Sequence, residues 1–329
     1  MATGPSCAGQ AARAAVADPQ AYGMVWIAGA TFRIGSDRHY PEESWARMVA
    51  VDGFWIDRWP VTNAQFGAFM AATGYVTLAQ RASAERAGDA EPVEPGSLVF
   101  TAPAGPVPLD HWRLWWRFVP GASWCHPRGP GSMIDAIADH PVVHVAWEDA
   151  QSYAAWAGKE LPTEAEFEFA ARGGLEAAEF AWGDELAPRG RLLANYWQGE
   201  FPWRNLGPHR DTGTSPVDAF SANGYGVHDL IGNVWEWTND WWMTRGRPVA
   251  KSPCCVPRNP RGGSAADSGD ACGSEPLVPL VPRKVLKGGS YLCCANYCER
   301  YRPAARLAQP IDTTTGHLGF RCVVRPASA

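Results

Sequence analysis

Two cysteines five positions apart, Cys293 and Cys298, lie in the densest polar and aromatic stretch of the chain, Lys287-Gly-Gly-Ser-Tyr-Leu-Cys-Cys-Ala-Asn-Tyr-Cys-Glu-Arg-Tyr-Arg302. The spacing is too wide for the tight Cys-x-x-Cys turn of redox and zinc-ribbon motifs, yet it lets two thiolates face each other across a soft ion. A linear or trigonal copper(I) site suits it best. The same pair could instead form a structural disulfide or act as two small buried hydrophobes. The setting favours chemistry: Gly288 and Gly289 permit an unusual backbone approach, and Ser290, Tyr291, Asn296 and Tyr297 supply hydrogen-bonding groups around the sulfurs.

Two other clusters have the residue types of a metal site. Asp229-Leu-Ile-Gly-Asn-Val-Trp-Glu-Trp237 places two carboxylates, a glycine and an asparagine within one short span, which can wrap a hard cation such as calcium or simply form a solvated turn. His140 and His144 have the i, i+4 spacing that chelates zinc on a helix. Pro141 and two valines between them argue against a helix, so the imidazoles need not converge. No Gly-x-Ser-x-Gly elbow, phosphate-binding loop or dinucleotide fingerprint is present.

The elements that position these residues can be read from periodicity. Residues 23–60 alternate apolar and polar side chains, the period of half-buried strands. Thr62-Asn-Ala-Gln65 is a capping box followed by Phe66, Phe69 and Met70 at helical spacing, with Gly74 as the stop. A second helix is predicted from about Glu148 to Trp156, ending at Gly158. Thr163-Glu-Ala-Glu166 opens a third, which Gly173 and Gly174 close. Stretches rich in Pro, Ala, Gly and Glu at 82–108, and around Cys254, Cys255 and Cys272 at 245–282, are predicted to be long loops, and residues 1–22 a disordered leader.

Composition sets the remaining bounds. Among 329 residues there are seventeen Trp, 34 Gly and 28 Pro, a mixture that suggests aromatic anchors holding irregular loops. A net charge of −5 and the lack of any Lys/Arg-rich run argue against a nucleic-acid partner. No apolar window is long enough to span a membrane, and nine unevenly clustered cysteines do not read as a secretory disulfide framework. A cytoplasmic monomer is the expectation.

Taken together, the motifs resemble those of the formylglycine-generating enzymes, copper oxidases that mature type I sulfatases. The marks are Gly-Phe-Trp-Ile-Asp (53–57), Val-Thr-Asn (61–63), His-Pro-Val-Val-His-Val-Ala-Trp (140–147), Leu-Pro-Thr-Glu-Ala-Glu (161–166) and Asn-Tyr-Trp-Gln-Gly-Glu-Phe-Pro (195–202). To these are added Gly-Asn-Val-Trp-Glu-Trp (232–237), Lys-Gly-Gly-Ser-Tyr-Leu-Cys (287–293), Tyr-Cys-x-Arg-Tyr-Arg (297–302) and Leu-Gly-Phe-Arg-Cys (318–322). The resemblance spans about residues 23–325. Several of these motifs are shared across a wider superfamily that includes iron sulfoxide synthases and phage-type display modules, and the Cys293/Cys298 pair is the part specific to the oxidase branch.

The resemblance implies an α+β fold related to C-type lectins, in a single domain over 23–325 with little regular secondary structure. It implies that O2 oxidises a cysteine, within a Cys-x-Pro-x-Arg segment of an unfolded sulfatase, to Cα-formylglycine. By position, Cys293 and Cys298 would bind copper(I), Ser290 and Trp235 would border the oxygen pocket, and Arg306 is a further candidate. One structural calcium would take Asp229, Gly232, Val234 and Glu236. A second would take Asn195 and Tyr196, where the family's acidic ligand falls at His209 and only Asp211 could replace it. Cys294 and His317 depart from the family's usual His and Asn. Ala154 or Ala155 and Ala171 stand where secreted members carry disulfide cysteines, which leaves Cys322 unpaired and fits a reduced cytosol. Two rivals remain: a nonheme iron oxygenase of the same superfamily, and a lectin-like binding module without enzymatic activity.

Overall fold

The computed structural model describes residues 23–82, 94–245, 256–269 and 281–326. The chain opens with four strands, β1 (Met24–Ile27), β2 (Ala30–Ile34), β3 (Arg47–Val51) and β4 (Phe54–Asp57), followed by helix α1 (Asn63–Thr73). A hairpin of β5 (Gly96–Phe100) and β6 (Trp116–Pro120) precedes helices α2 (Trp147–Trp156) and α3 (Glu164–Arg172). The remaining strands are β7 (Gly199–Glu200), β8 (Arg204–Asn205), β9 (Trp235–Trp241), β10 (Arg283–Lys287), β11 (Arg306–Pro310), β12 (Leu318–Gly319) and β13 (Val323–Val324). Among the described residues no helix is long and apolar enough to cross a membrane.

The helices start and stop where local chemistry dictates. Gln65 N donates to Thr62 Oγ1 and Thr62 N donates back to Gln65 Oε1, while Gly74 closes α1 at φ 65°. Thr163 and Glu166 repeat the arrangement on α3, which ends at Gly173 with φ 57°. Ala146 has no side-chain oxygen to cap α2, so Asp149 Oδ2 accepts from Ala146 N instead. His140 and His144 flank an extended segment, and each ring bonds a different partner, Thr214 and Ser97.

Two sheets carry the chain's ends to its middle. β1, β4 and the C-terminal β13 form one sheet; β11, β10, β9 and β12 form the other, with β12 parallel to β9. β10 therefore runs through the centre of the second sheet and delivers Lys287 and the cysteine segment after it directly beside Trp235–Trp237. Phe66, Phe69, Tyr153 and Phe320 pack ring against ring beneath, at centroid distances of 5.3–6.3 Å.

The expected loop over 82–108 is corrected in part. Leu98-Val99-Phe100 lies within β5, because this apolar run has a partner in Trp116–Phe118 that composition alone hides. Within the expected 245–282 loop, Asn259 N donates to Ala50 O and Ala50 N to Pro257 O, which ties that segment to β3. The predicted leader (1–22) and Cys254, Cys255 and Cys272 lie outside the described residues.

Charges are buried in pairs under the second sheet. Lys287 Nζ lies 3.0 Å from Glu168, both fully buried, and Arg172 adds a contact to Glu168 at 2.7 Å. Glu164 faces Arg245 and Arg306, and Arg302 grips Glu43 through two bonds of 2.6 and 2.7 Å. Desolvating such ions is costly, so removing one partner strands the other. Lys287→Met should therefore lower the unfolding free energy by about 3–5 kcal/mol. Urea denaturation checks this, and a loss below ~1 kcal/mol would contradict the account.

Candidate functional site

The cysteine loop begins where β10 ends. Gly288 and Gly289 have φ of 92° and 75°, and a Cβ on Gly289 would lie 2.5 Å from Arg300 O. Only glycine lets the entry to the loop cross its exit this closely. The loop between is wound on itself: Cys293 N donates to Ser290 O, Cys298 N to Cys294 O and Cys294 N to Cys298 O, at 2.8–3.0 Å.

This winding brings Cys293 Sγ and Cys298 Sγ to 3.3 Å without a bond between them. Cys293 is buried and Cys298 half-buried. The hydrogen bond from Cys293 holds the Cys298 thiol down at about 6, helped by the Arg300 guanidinium, whose Nη1 lies 3.7 Å from the sulfur. Burial, and then the hydrogen bond given to Cys298, push the Cys293 thiol well up. The pair thus holds one proton, on Cys293, and one negative charge, on Cys298.

Arg300 is itself fixed. Its Nε donates to Glu42 Oε1 at 3.1 Å, its guanidinium lies 3.8 Å from the centre of the Tyr40 ring, and Glu299 N donates to Tyr40 Oη. Sequence reasoning assigned no role to these residues. Arg300 sits inside a quoted motif, but Tyr40 and Glu42 arrive from some 258 positions away and left no local signal.

Ser290 lies against Cys293, and Trp235 lies in the same core. Ser290 is fully buried, its N–H donates to Cys293 Sγ at 3.4 Å, and its hydroxyl oxygen accepts from Leu292 N. Trp235 is buried in the same apolar cluster as Cys293. Arg306 has other work: it is fully buried, pairs with Glu164 and lies over the Trp242 ring at 4.1 Å. His317 meets Trp116 edge-on at 4.8 Å, and burial pushes its imidazole down to about 3, so it is neutral at physiological pH. The mouth of the site is aromatic, with half-exposed Tyr297 stacked on Phe201 at 4.5 Å and edge-on to Trp115. Tyr291, from the same loop, lines a cleft of about 720 Å³ together with Phe100, Trp197 and Arg128, a cleft that neither Cys293 nor Cys298 lines.

The donor set of the thiol pair fits a soft monovalent ion, since two sulfurs with a single charge already stand face to face. Among the described residues no group of three or more His, Cys, Asp or Glu could hold a metal.

The first calcium set fits a hard cation on one observation: Asp229 Oδ1 is buried without a partner, and burial pushes this carboxyl up to about 7. Glu236 accepts from Arg321 at 2.7 Å through both oxygens, each of which keeps a further lone pair. Gly232 is placed by its φ of 78° against Asn195 O, and Val234 is buried. The groups of the second set are engaged elsewhere or exposed. Asn195 Nδ2 donates to Gly213 O, Tyr196 O accepts from Gln198, and Asp211 is 89% exposed beside Arg210. His209 O accepts from Gly213 N, so that residue serves a turn.

Iodoacetamide labelling of the metal-free protein tests the charge assignment. The Cys298 rate should stay near its plateau at pH 7 and halve near pH 6, whereas an ordinary thiol halves near ~8.5. A Cys298 midpoint above pH 8 would contradict it.

Comparison with known proteins places these features in context. Residues 10–326 match the model of the sulfatase-modifying factor enzyme 1-like domain. The chain is 50% identical to the formylglycine-generating enzyme of Mycobacterium tuberculosis over 309 residues, covering 93% of this chain and 98% of that protein. It is 46% identical to the formylglycine-generating enzyme of Thermomonospora curvata, covering 93% and 94%. Its fold resembles the solved structure of PvdO from Pseudomonas aeruginosa, with a TM-score of 0.57 at 21% identity, covering 91% and 93%.

Proposed function

Because the chain belongs to the sulfatase-modifying factor enzyme 1-like family, we propose that it is a formylglycine-generating oxidase, converting a cysteine of a sulfatase polypeptide to Cα-formylglycine with O2 as acceptor. The observation that carries the reading is the thiol pair: two unlinked sulfurs 3.3 Å apart, one of them a thiolate, at an aromatic mouth. A lectin-like binding module has no use for a depressed thiol in that place.

Cys293 and Cys298 would hold copper(I), which when bound supplies the activation of O2. The protein's own residues set the terms. The pair carries one proton, so taking up a cation releases it from Cys293 and leaves both sulfurs charged. Arg300 offsets part of that charge, and its anchoring by Glu42 and Tyr40 keeps it there. Ser290, whose N–H donates to Cys293 Sγ, and Trp235, buried in the same cluster, would border the inner side of the site. Exposed Tyr297, seated on the buried rings of Phe201 and Trp115, gives the substrate chain an aromatic edge to lie against, and the Cys-x-Pro-x-Arg segment of an unfolded type I sulfatase is the proposed occupant.

Calcium at Asp229, with the carbonyls of Gly232 and Val234 and the free lone pairs of Glu236, would be structural, satisfying the orphaned Asp229 oxygen. Asn195, Tyr196 and Asp211 would need to rearrange to hold a second ion.

Incubating a Cys-x-Pro-x-Arg peptide with copper-loaded protein and O2 should yield a product that has lost sulfur and gained an aldehyde by mass spectrometry. Cys293→Ser and Cys298→Ser should each reduce turnover at least ~1,000-fold, as expected for groups that act as one unit. Wild-type turnover in either variant would end the proposal. Separately, a calcium chelator should lower the melting temperature by ~5 °C, and Asp229→Ala should abolish that response. A chelator without effect on the wild type would remove the calcium assignment.

A further inference from the structure

Cys294 is a third thiol beside the pair, and the proposed chemistry does not use it. Adjacent residues of the loop face different clusters. Cys293 packs with Trp235, Tyr301 and Phe320, whereas Cys294 packs with Trp115, Trp197, Phe201 and Tyr291. Its sulfur lies 3.1 Å from Asn296 Oδ1, and since a carboxamide oxygen only accepts, the thiol is the donor. Asn296 in turn is bonded to one stretch of main chain from both ends of its amide: Phe201 N donates to Oδ1 and Nδ2 donates to Phe201 O, each at 3.4 Å. Asn296 is otherwise exposed at the tip of the loop, so these three contacts set its orientation.

The consequence for the pair follows from connectivity. Asn296 lies in the middle of the turn that the reciprocal main-chain bonds between Cys294 and Cys298 close. Clipping the tip of that turn to Phe201 fixes where Cys298 leaves it, and hence where the Cys298 sulfur stands relative to Cys293. The Cys294 sulfur is committed to Asn296, whereas the sulfurs of Cys293 and Cys298 contact each other.

We propose that Cys294 is a positioning residue and not a metal ligand: its S–H fixes Asn296, and through it the turn that holds the Cys298 sulfur opposite Cys293. The proposal rests on reading the pair as a copper(I) site, but its geometry can be tested without metal. In metal-free protein, diamide takes two electrons from Cys293 and Cys298 as their disulfide forms, and is reduced to its hydrazine with the pair's one proton and a second from water. That closure should slow roughly three- to tenfold in Cys294→Ala, the range expected for one hydrogen bond. It should recover in Cys294→Ser, whose hydroxyl also donates to Asn296. Asn296→Ala should reproduce the loss, and the double variant should add nothing to it.

Copper(I) titration against a chromophoric chelator provides the second arm. Cys294→Ala should still bind one ion per chain, three- to tenfold more weakly, with Cys294→Ser close to wild type. Equal closure rates in wild type and Cys294→Ala would overturn the proposal, as would a Cys294–Cys298 disulfide on oxidation. So would an equal and large loss of copper affinity in both the Ala and Ser variants, the signature of a ligand. If wild type binds no copper(I), the functional reading fails, and the diamide rates alone still decide the role of Cys294.

Discussion

Two sulfurs held 3.3 Å apart, one buried and the other half-buried, cannot both carry a charge without mutual repulsion, and that constraint organises everything around them. The protein leaves one proton on the deeper sulfur and a negative charge on the shallower one. The asymmetry is built by position: Cys293 sits inside the apolar cluster, while Cys298 sits at its edge within reach of Arg300. A thiol pair of equal burial and no neighbouring cation would share its charge evenly and present no defined thiolate at the mouth.

Holding the sulfurs there falls to contacts made by side chains and glycines, since the loop has no regular secondary structure of its own. The crossing at Gly289 brings the two ends of the loop together, and β10 fixes the entry. The exit is fixed by charge. Arg300 and Arg302, two residues apart, reach Glu42 and Glu43, which are adjacent in a short helical turn near the N-terminus. Both pairs withdraw the loop's positive charges from solvent and bind its end to a segment more than 250 residues away. The buried ions under the second sheet belong to the same frame, because Lys287 is the last residue before the glycine doublet.

What could be read in advance follows from how local each interaction is. Helices α1 and α3 were legible because each capping box and stop lies within a dozen residues, and the β1–β4 region because period-2 alternation needs no partner to be seen. The cysteine pair was visible for the same reason: its spacing is local, and so are the glycines that make its geometry possible. The strand at Gly96–Phe100 was hidden, since a pairing is a property of two segments. Tyr40 and Glu42 were hidden more deeply, because nothing in either residue points to a sulfur on the other end of the chain. Arg306 misled in the opposite direction: proximity in sequence suggested a role at the pocket, and burial against Glu164 and Trp242 gave it a structural one.

The calcium sets separate along the same line. Asp229, Gly232 and Val234 fall within one short turn that leads directly into Glu236 on β9, so local winding brings them together, and the strained φ of 51° at Asp229 and 58° at Asn233 marks that winding. A buried carboxyl oxygen without a partner is expensive, and its retention beside a fully buried Arg321–Glu236 pair means that the region tolerates one uncompensated group at a defined point. Asn195, Tyr196 and Asp211 span more chain, and their main-chain oxygens already serve the fold: Asn195 O accepts from Asn233 N and Tyr196 O from Gln198. A cation there would have to replace hydrogen bonds that exist, whereas a cation at Asp229 would supply one that is missing. That difference, more than the number of oxygens in either set, is why the first set is the better candidate for an ion that holds the fold.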